Sequence, residues 1–231
     1  MTDEKITTAE DFHNRGNIHG REGRYDEAIA DYTEAIRLEP KSASTYYNRG
    51  ICHGKKDRHD EAIADYTEAI RLNSNYANAF YNRGNCHYKK GRWDDAIADC
   101  TQAIRLNPND AGAFYGRGIC HYKKGRYDEA VADCNEAIRL DPDYAGAFYN
   151  RGICHYKKGR YDEAMADHNE AIRLDPDCAK AFFGRGICHL RKGRHDEAIA
   201  DFDTVLGINP NHAKAIRGKF EAQAAKASKG E

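Results

Sequence analysis

The chain has 231 residues, enough for one or two ordinary domains, and its 36 Lys and Arg against 37 Asp and Glu leave a formal charge of −1. That balance excludes a global field that would draw the molecule to nucleic acid or to a membrane surface. Apolar runs are too short for a membrane-crossing helix, the opening MTDEKITTAED has no apolar signal region, and eight cysteines without an export signal point to reduced thiols in the cytoplasm.

Residues 1–8 read as a polar N-terminal extension, and from residue 9 the chain repeats itself. NRG or GRG returns at Arg15, Arg49, Arg83, Arg117, Arg151 and Arg185, always 34 residues apart, and the same step relates Ala28, Ala62, Ala96, Ala130, Ala164 and Ala198. Six units follow one another without a linker, at 9–42, 43–76, 77–110, 111–144, 145–178 and 179–212, with a capping helix and tail over 213–231. The fourth and fifth units differ only at Gly116/Asn150, Val131/Met165, Cys134/His168 and Tyr144/Cys178. A catalytic site needs a singular, asymmetric cluster, whereas a motif stamped six times is a building block. The chain offers no nucleophile–base pair, phosphate-binding glycine loop or metal-ligand spacing, so no enzyme, cofactor or metal is expected.

Each unit predicts two helices. In the fifth, the first runs from about Ala145 to Lys158 with Phe148, Arg151, Gly152 and His155 on one stripe. Gly159 suits the left-handed position that ends a helix, and Lys157 and Lys158 sit at the negative end of its dipole. The second helix starts near Tyr161, carries Asp162 and Glu163 in its first turn, and buries Ala164, Asp167, His168 and Ala171 before Pro176.

This pattern resembles the tetratricopeptide repeat, whose signature in the third unit falls on Phe80, Gly84, His87, Ala96, Cys100, Ala103 and Pro108. The resemblance covers residues 9–212 and implies an all-α fold, a right-handed α-solenoid of stacked antiparallel helix pairs, capped from Ala213 to about Ala227. The chain departs from the family pattern at the histidines His19, His53, His87, His121, His155 and His189, at Asp57 in place of a turn glycine, and at Ser74 in place of proline. The resemblance implies a protein-binding module whose first helices line a concave surface.

The recurrent arginine lies on an apolar stripe, where an unpaired charge is costly, and one aspartate per unit occupies the matching slot of the second helix. Structural pairs are therefore expected at Arg83–Asp99, Arg117–Asp133 and Arg151–Asp167. The adjacent Cys–His residues point about 100° apart on a helix, which disfavours a shared metal ion and favours packing. The lysine ladder Lys89, Lys123 and Lys157 serves either helix-end capping or a partner. The rows containing Tyr81, Tyr115 and Tyr149, and Tyr88, Tyr122 and Tyr156, with Asn48, Asn82 and Asn150 alongside, form either an exposed aromatic groove or packing between adjacent first helices. Gly20 and Gly54 remove the second ring from the first two units, so the groove is expected to be richest in the third to fifth. Clamps for acidic chaperone tails in this family need cations that the set His13, Asn17, Asn48, Asn78 and Asn82 lacks. The expectation is a cytoplasmic module that binds an acidic protein or peptide segment. Self-association is the rival, RNA binding a minor alternative, and no membrane partner is expected.

Overall fold

The computed structural model describes residues 7–229; residues 1–6 of the N-terminal extension and 230–231 of the tail lie outside the described residues. Among the described residues the fold is all-α, without strands. The helices are α1 (Ala9–Arg21), α2 (Tyr25–Leu38), α3 (Ala43–Lys55), α4 (His59–Leu72), α5 (Ala77–Lys89), α6 (Trp93–Leu106) and α7 (Ala111–Lys123). They continue as α8 (Tyr127–Leu140), α9 (Ala145–Lys157), α10 (Tyr161–Leu174), α11 (Ala179–Arg191), α12 (His195–Ile208) and α13 (Ala213–Lys229). Two compact units emerge, one up to Cys120 and one from His121 onward. In the first, α1/α2, α3/α4 and α5/α6 form tight pairs, and α2 and α4 also pack on the first helix that follows them. The second repeats the scheme with α9/α10 and α11/α12, and α13 lies on α12.

Local chemistry explains the start of α1 and the ends of the first helices. Thr8 caps α1 reciprocally: its hydroxyl accepts from the Asp11 amide at 3.1 Å while the Asp11 carboxylate accepts from the Thr8 amide at 3.0 Å. The first helices end in a left-handed residue, Gly91 at φ 72° for α5 and Gly159 at 73° for α9. The amide three residues past the helix returns to a carbonyl of its last turn, as Arg160 to His155 at 2.9 Å. Asp57 takes the same conformation at φ 56°, and Arg58 still donates to the His53 carbonyl at 3.0 Å, so the turn survives without glycine. The loop at Ser74 likewise keeps its form, with the Asn75 amide donating to the Asn73 side chain at 3.1 Å as Asn109 does to Asn107 at 3.3 Å.

The core runs between the paired helices. Ala28, Ala62, Ala96, Ala130, Ala164 and Ala198 are fully buried. Close approach needs a residue without a side chain on the first helix: a Cβ at Gly16 would lie 2.8 Å from the Tyr32 ring, and one at Gly152 2.9 Å from the His168 imidazole. The most consolidated core joins Ala198, Phe202, Val205, Ala215 and Ala222; full burial of a ring such as that of Phe202 contributes about 1.5–3 kcal/mol. No described helix is long and apolar enough to cross a membrane.

Candidate functional site

The stripe that crosses each helix pair carries charge, and the structure shows how it is satisfied. Arg83 Nε and Nη2 donate to the two Asp99 oxygens at 2.9 and 2.7 Å. Arg151 does the same to Asp167 at 3.0 and 2.6 Å, and Arg49 and Arg185 repeat the fork on Asp65 and Asp201. Each guanidinium also lies over the ring three residues before it, Arg151 at 5.4 Å from Phe148 and Arg117 at 5.6 Å from Phe114. Its remaining nitrogen reaches back one repeat: Arg49 to Thr33 at 3.0 Å, Arg83 to Thr67 at 3.0 Å, Arg117 to Thr101 at 3.3 Å, and Arg151 to Asn135 at 2.7 Å. Asp133 is buried on α8, with His121 Nε2 3.8 Å from its carboxylate. The row Thr33, Thr67, Thr101, Asn135 and Asn169 escaped the sequence reading, although a small polar residue at 34-residue spacing was its signal.

The histidines complete this layer. His53, His87, His155 and His189 place Nε2 within 3.7 to 3.9 Å of the aspartate of their own repeat, and burial holds each below its ordinary pKa. Seven of the eight cysteines are buried. Burial pushes the Cys52 and Cys86 thiols up to about 11, and Cys154 and Cys188 to about 12. No group of three or more His, Cys, Asp or Glu among the described residues could hold a metal ion.

The two adjacent basic residues at the ends of α3, α5, α7, α9 and α11 have different fates. The second of each pair reaches the second helix of the preceding repeat: Lys56 bonds Asp26, Lys90 meets Asp60 at 2.5 Å, Lys158 bonds Asp128, and Lys192 meets Asp162 at 2.5 Å. The first of each pair, Lys55, Lys89, Lys123 and Lys157, is exposed and forms no ion pair with any described residue.

The aromatic and amide rows are half-buried. Tyr81 packs against α7, its hydroxyl 3.3 Å from where a Cβ on Gly112 would lie, while Tyr88 and Tyr115 stand half-buried on α5 and α7. In the second unit Tyr149 lies 5.8 Å from the His168 ring, Tyr122 5.9 Å from Tyr127 and Tyr156 5.6 Å from Tyr161. Asn48 donates to Asn17 at 2.9 Å, Asn82 to the Tyr47 hydroxyl at 3.0 Å, and Asn150 to the Gly146 carbonyl of its own helix at 3.0 Å. Two open clefts lie on the first-helix side of the first unit. One is lined by Asn17, Gly20, Arg21, Tyr25, Tyr32, Asn48 and Lys55, the other by Ile51, Gly54, Lys55, His59, Tyr66, Asn82 and Lys89.

The tetratricopeptide repeat family model matches residues 53–111, 81–145, 135–172 and 149–213, and a second model, described as TPR repeat, matches 16–57. The chain belongs to the tetratricopeptide repeat family. No curated protein is significantly similar to this tetratricopeptide repeat chain. Among solved structures it is similar to YrrB, described as a TPR protein with an unusual peptide-binding site, at 26% identity and a TM-score of 0.68 over 81% of this chain and 97% of that one. It also resembles PilF of Pseudomonas aeruginosa at 16% identity and a TM-score of 0.78, over 94% of this chain and 96% of that one. The fold is shared as well with MamA, from residue 41, of Desulfovibrio magneticus RS-1, at 20% identity and a TM-score of 0.69 over 74% and 96% of the respective chains. Tetratricopeptide repeats are typically non-catalytic interaction scaffolds, and family membership supports that class of function here.

Proposed function

We propose that this tetratricopeptide repeat protein is a non-catalytic scaffold whose first-helix faces bind an acidic segment of a partner protein. One observation carries the reading: of the adjacent lysines at the ends of α3, α5 and α9, the second is tied to an aspartate and the first is left exposed without one. Capping alone does not need both. In the first unit Lys55 lines one cleft with Asn48 and the other with Asn82 and Lys89, and α5 also carries Tyr81 and Tyr88; in the second unit Lys123 follows Tyr122, and Lys157 shares α9 with Tyr149, Asn150 and Tyr156. The peptide-binding site named for YrrB supports a segment, rather than a folded surface, as the occupant.

The test is an array of peptides graded from acidic to basic, probed with the purified chain and with a Lys89→Glu, Lys123→Glu, Lys157→Glu variant. Acidic peptides should be retained by the parent and lost by the variant, with faster loss at high salt because exposed charges steer and are screened. Replacing Glu136 and Glu170, which are engaged by Arg139 and Arg173 on their own helices, should change nothing. Retention that ignores peptide charge would refute the reading. Light scattering against concentration separates the rival, self-association, since only that reading requires mass to rise.

A further inference from the structure

The two clefts of the first unit occur where the sequence lacks a ring. In the fourth and fifth repeats, the ring of Tyr122 lies over Tyr127 and that of Tyr156 over Tyr161, covering the first residue of the second helix. The equivalent positions in the first and second repeats are Gly20 and Gly54, and the residues left uncovered are Tyr25 and His59. Open clefts of about 420 and 300 Å³ stand there, at the lower end of the roughly 300–1,000 Å³ typical of ligand sites. Tyr32 lines the first and Tyr66 the second, and Lys55 lines both. Arg21 adds a second cation to the first and Lys89 to the second, and no carboxylate among the described residues lines either. His59 Nδ1 is buried without a hydrogen-bond partner, while Asp57, itself exposed, approaches Nε2 at 3.7 Å.

Resting on the acidic-segment reading above, we infer that the Gly20 and Gly54 clefts are two side-chain pockets, each taking one aromatic residue of that segment. The incoming rings occupy the space that Tyr122 and Tyr156 fill from within the chain, stacking on Tyr25 and His59. The carboxylates beside them meet Arg21, Lys55 and Lys89. Neighbouring first helices lie roughly 8–10 Å apart, and a segment in polyproline II form advances about 3.1 Å per residue with three residues per turn, so aromatic residues three apart point the same way and fit both pockets. The chain itself supplies the competing occupant. A Cβ at Gly20 meets nothing nearer than 3.7 Å, and one at Gly54 nothing nearer than 3.9 Å, so a side chain enters without displacing the backbone.

The experiment titrates the full chain, by calorimetry, with acetyl-Asp-Glu-Trp-Asp-Glu-Trp-Asp-Glu-amide. The parent should bind this peptide at least tenfold more tightly than the same peptide with alanine at both tryptophans. The Gly20→Tyr, Gly54→Tyr variant should lose that tenfold preference, while Gly20→Ala, Gly54→Ala, which leaves the clefts open, should keep it. Circular dichroism checks that both variants remain helical. Equal binding of the two peptides by the parent, or an unchanged preference in the tyrosine variant, would overturn the pockets. If the tyrosine variant still prefers tryptophan but Lys89→Glu, Lys123→Glu, Lys157→Glu loses binding, the pockets fall and the acidic-segment reading stands. If a glutamine-for-acid peptide binds as well as the acidic one, both fall.

Discussion

The fifth repeat should be the acid-sensitive part of the protein, because it buries an imidazole where the others bury tyrosine, cysteine or phenylalanine. His168 lies between two glycines, where a Cβ on Gly152 would fall 2.9 Å and one on Gly184 2.5 Å from its ring, and Tyr149 covers it at 5.8 Å. Burial, reinforced by the charge of Arg185, lowers its pKa from 6.5 to about 4. An unfolded chain takes up this proton below about pH 6.5 and the native one only near pH 4, so the unfolded state binds more protons in between. The stability tied to the neutral ring is therefore complete above the unfolded value and declines as pH falls through this window. Between about pH 7.5 and 4.5 the linkage amounts to about 2.5 kcal/mol. The perturbation is His168→Cys, which reproduces the Cys134 of the fourth repeat and adds no group that titrates in this range. Its smaller volume costs the same at every pH, so only the pH-dependent part of the difference matters. Urea denaturation of parent and variant at several pH values should give curves that converge by about 2.5 kcal/mol on acidification. A difference that stays flat to within about 0.5 kcal/mol would refute the argument.

Arg151→Ala should cost about 3 kcal/mol, the lower end for breaking a buried pair because Arg151 keeps some exposure, whereas Lys157→Ala should fall within about 0.5 kcal/mol of the parent in the same denaturation assay. Asp57→Gly should raise stability by up to about 1 kcal/mol, since a non-glycine residue is held at φ 56°, and an unchanged or lower midpoint would contradict the strain. A thiol reagent added to the native protein should label one cysteine quickly, Cys178, because the other seven are buried, and mass spectrometry of the digest identifies it. Metal chelator should leave the melting temperature unchanged, with elemental analysis showing no stoichiometric zinc, because no group of three ligands converges among the described residues.

The helices were legible because each boundary has its own local chemistry, such as Gly159 after α9, Asp162 and Glu163 at the start of α10, and Pro176 after it. The partner of Arg151 was legible for a different reason: two charges on facing apolar stripes must meet, and only one aspartate per repeat qualified. What the sequence could not convey depends on the offset between neighbouring repeats. Lys157 and Lys158 are adjacent and chemically identical, yet the roughly 100° turn between them sends one to solvent and the other to Asp128. The third contact of Arg151, with Asn135, is set by the same offset. The asparagine row looked free for a ligand because nothing in a one-dimensional pattern shows that Asn48 already donates to Asn17 and Asn82 to Tyr47. Gly20 and Gly54 counted as missing rings in the sequence; in three dimensions they are clefts.

The division of labour between the lysines reconciles a nearly neutral chain with a charged face. Asp60 and Asp162 lie in the first turn of a second helix, where their charge complements the helix dipole, and each is bound by a lysine of the next repeat. Glu68, Glu136 and Glu170 are engaged by Arg71, Arg139 and Arg173 one turn away. These acids are matched within the second-helix layer or by the second lysine of the pair, and the first lysine stays outside that account. A partner at the surface feels charges within about 8 Å at physiological ionic strength. A partner placed as proposed above would therefore meet Lys55 and Lys89, or Lys123 and Lys157, and not the formal charge of −1. Composition excludes attraction at long range; at contact, no carboxylate among the described residues pairs with Lys55, Lys89, Lys123 or Lys157.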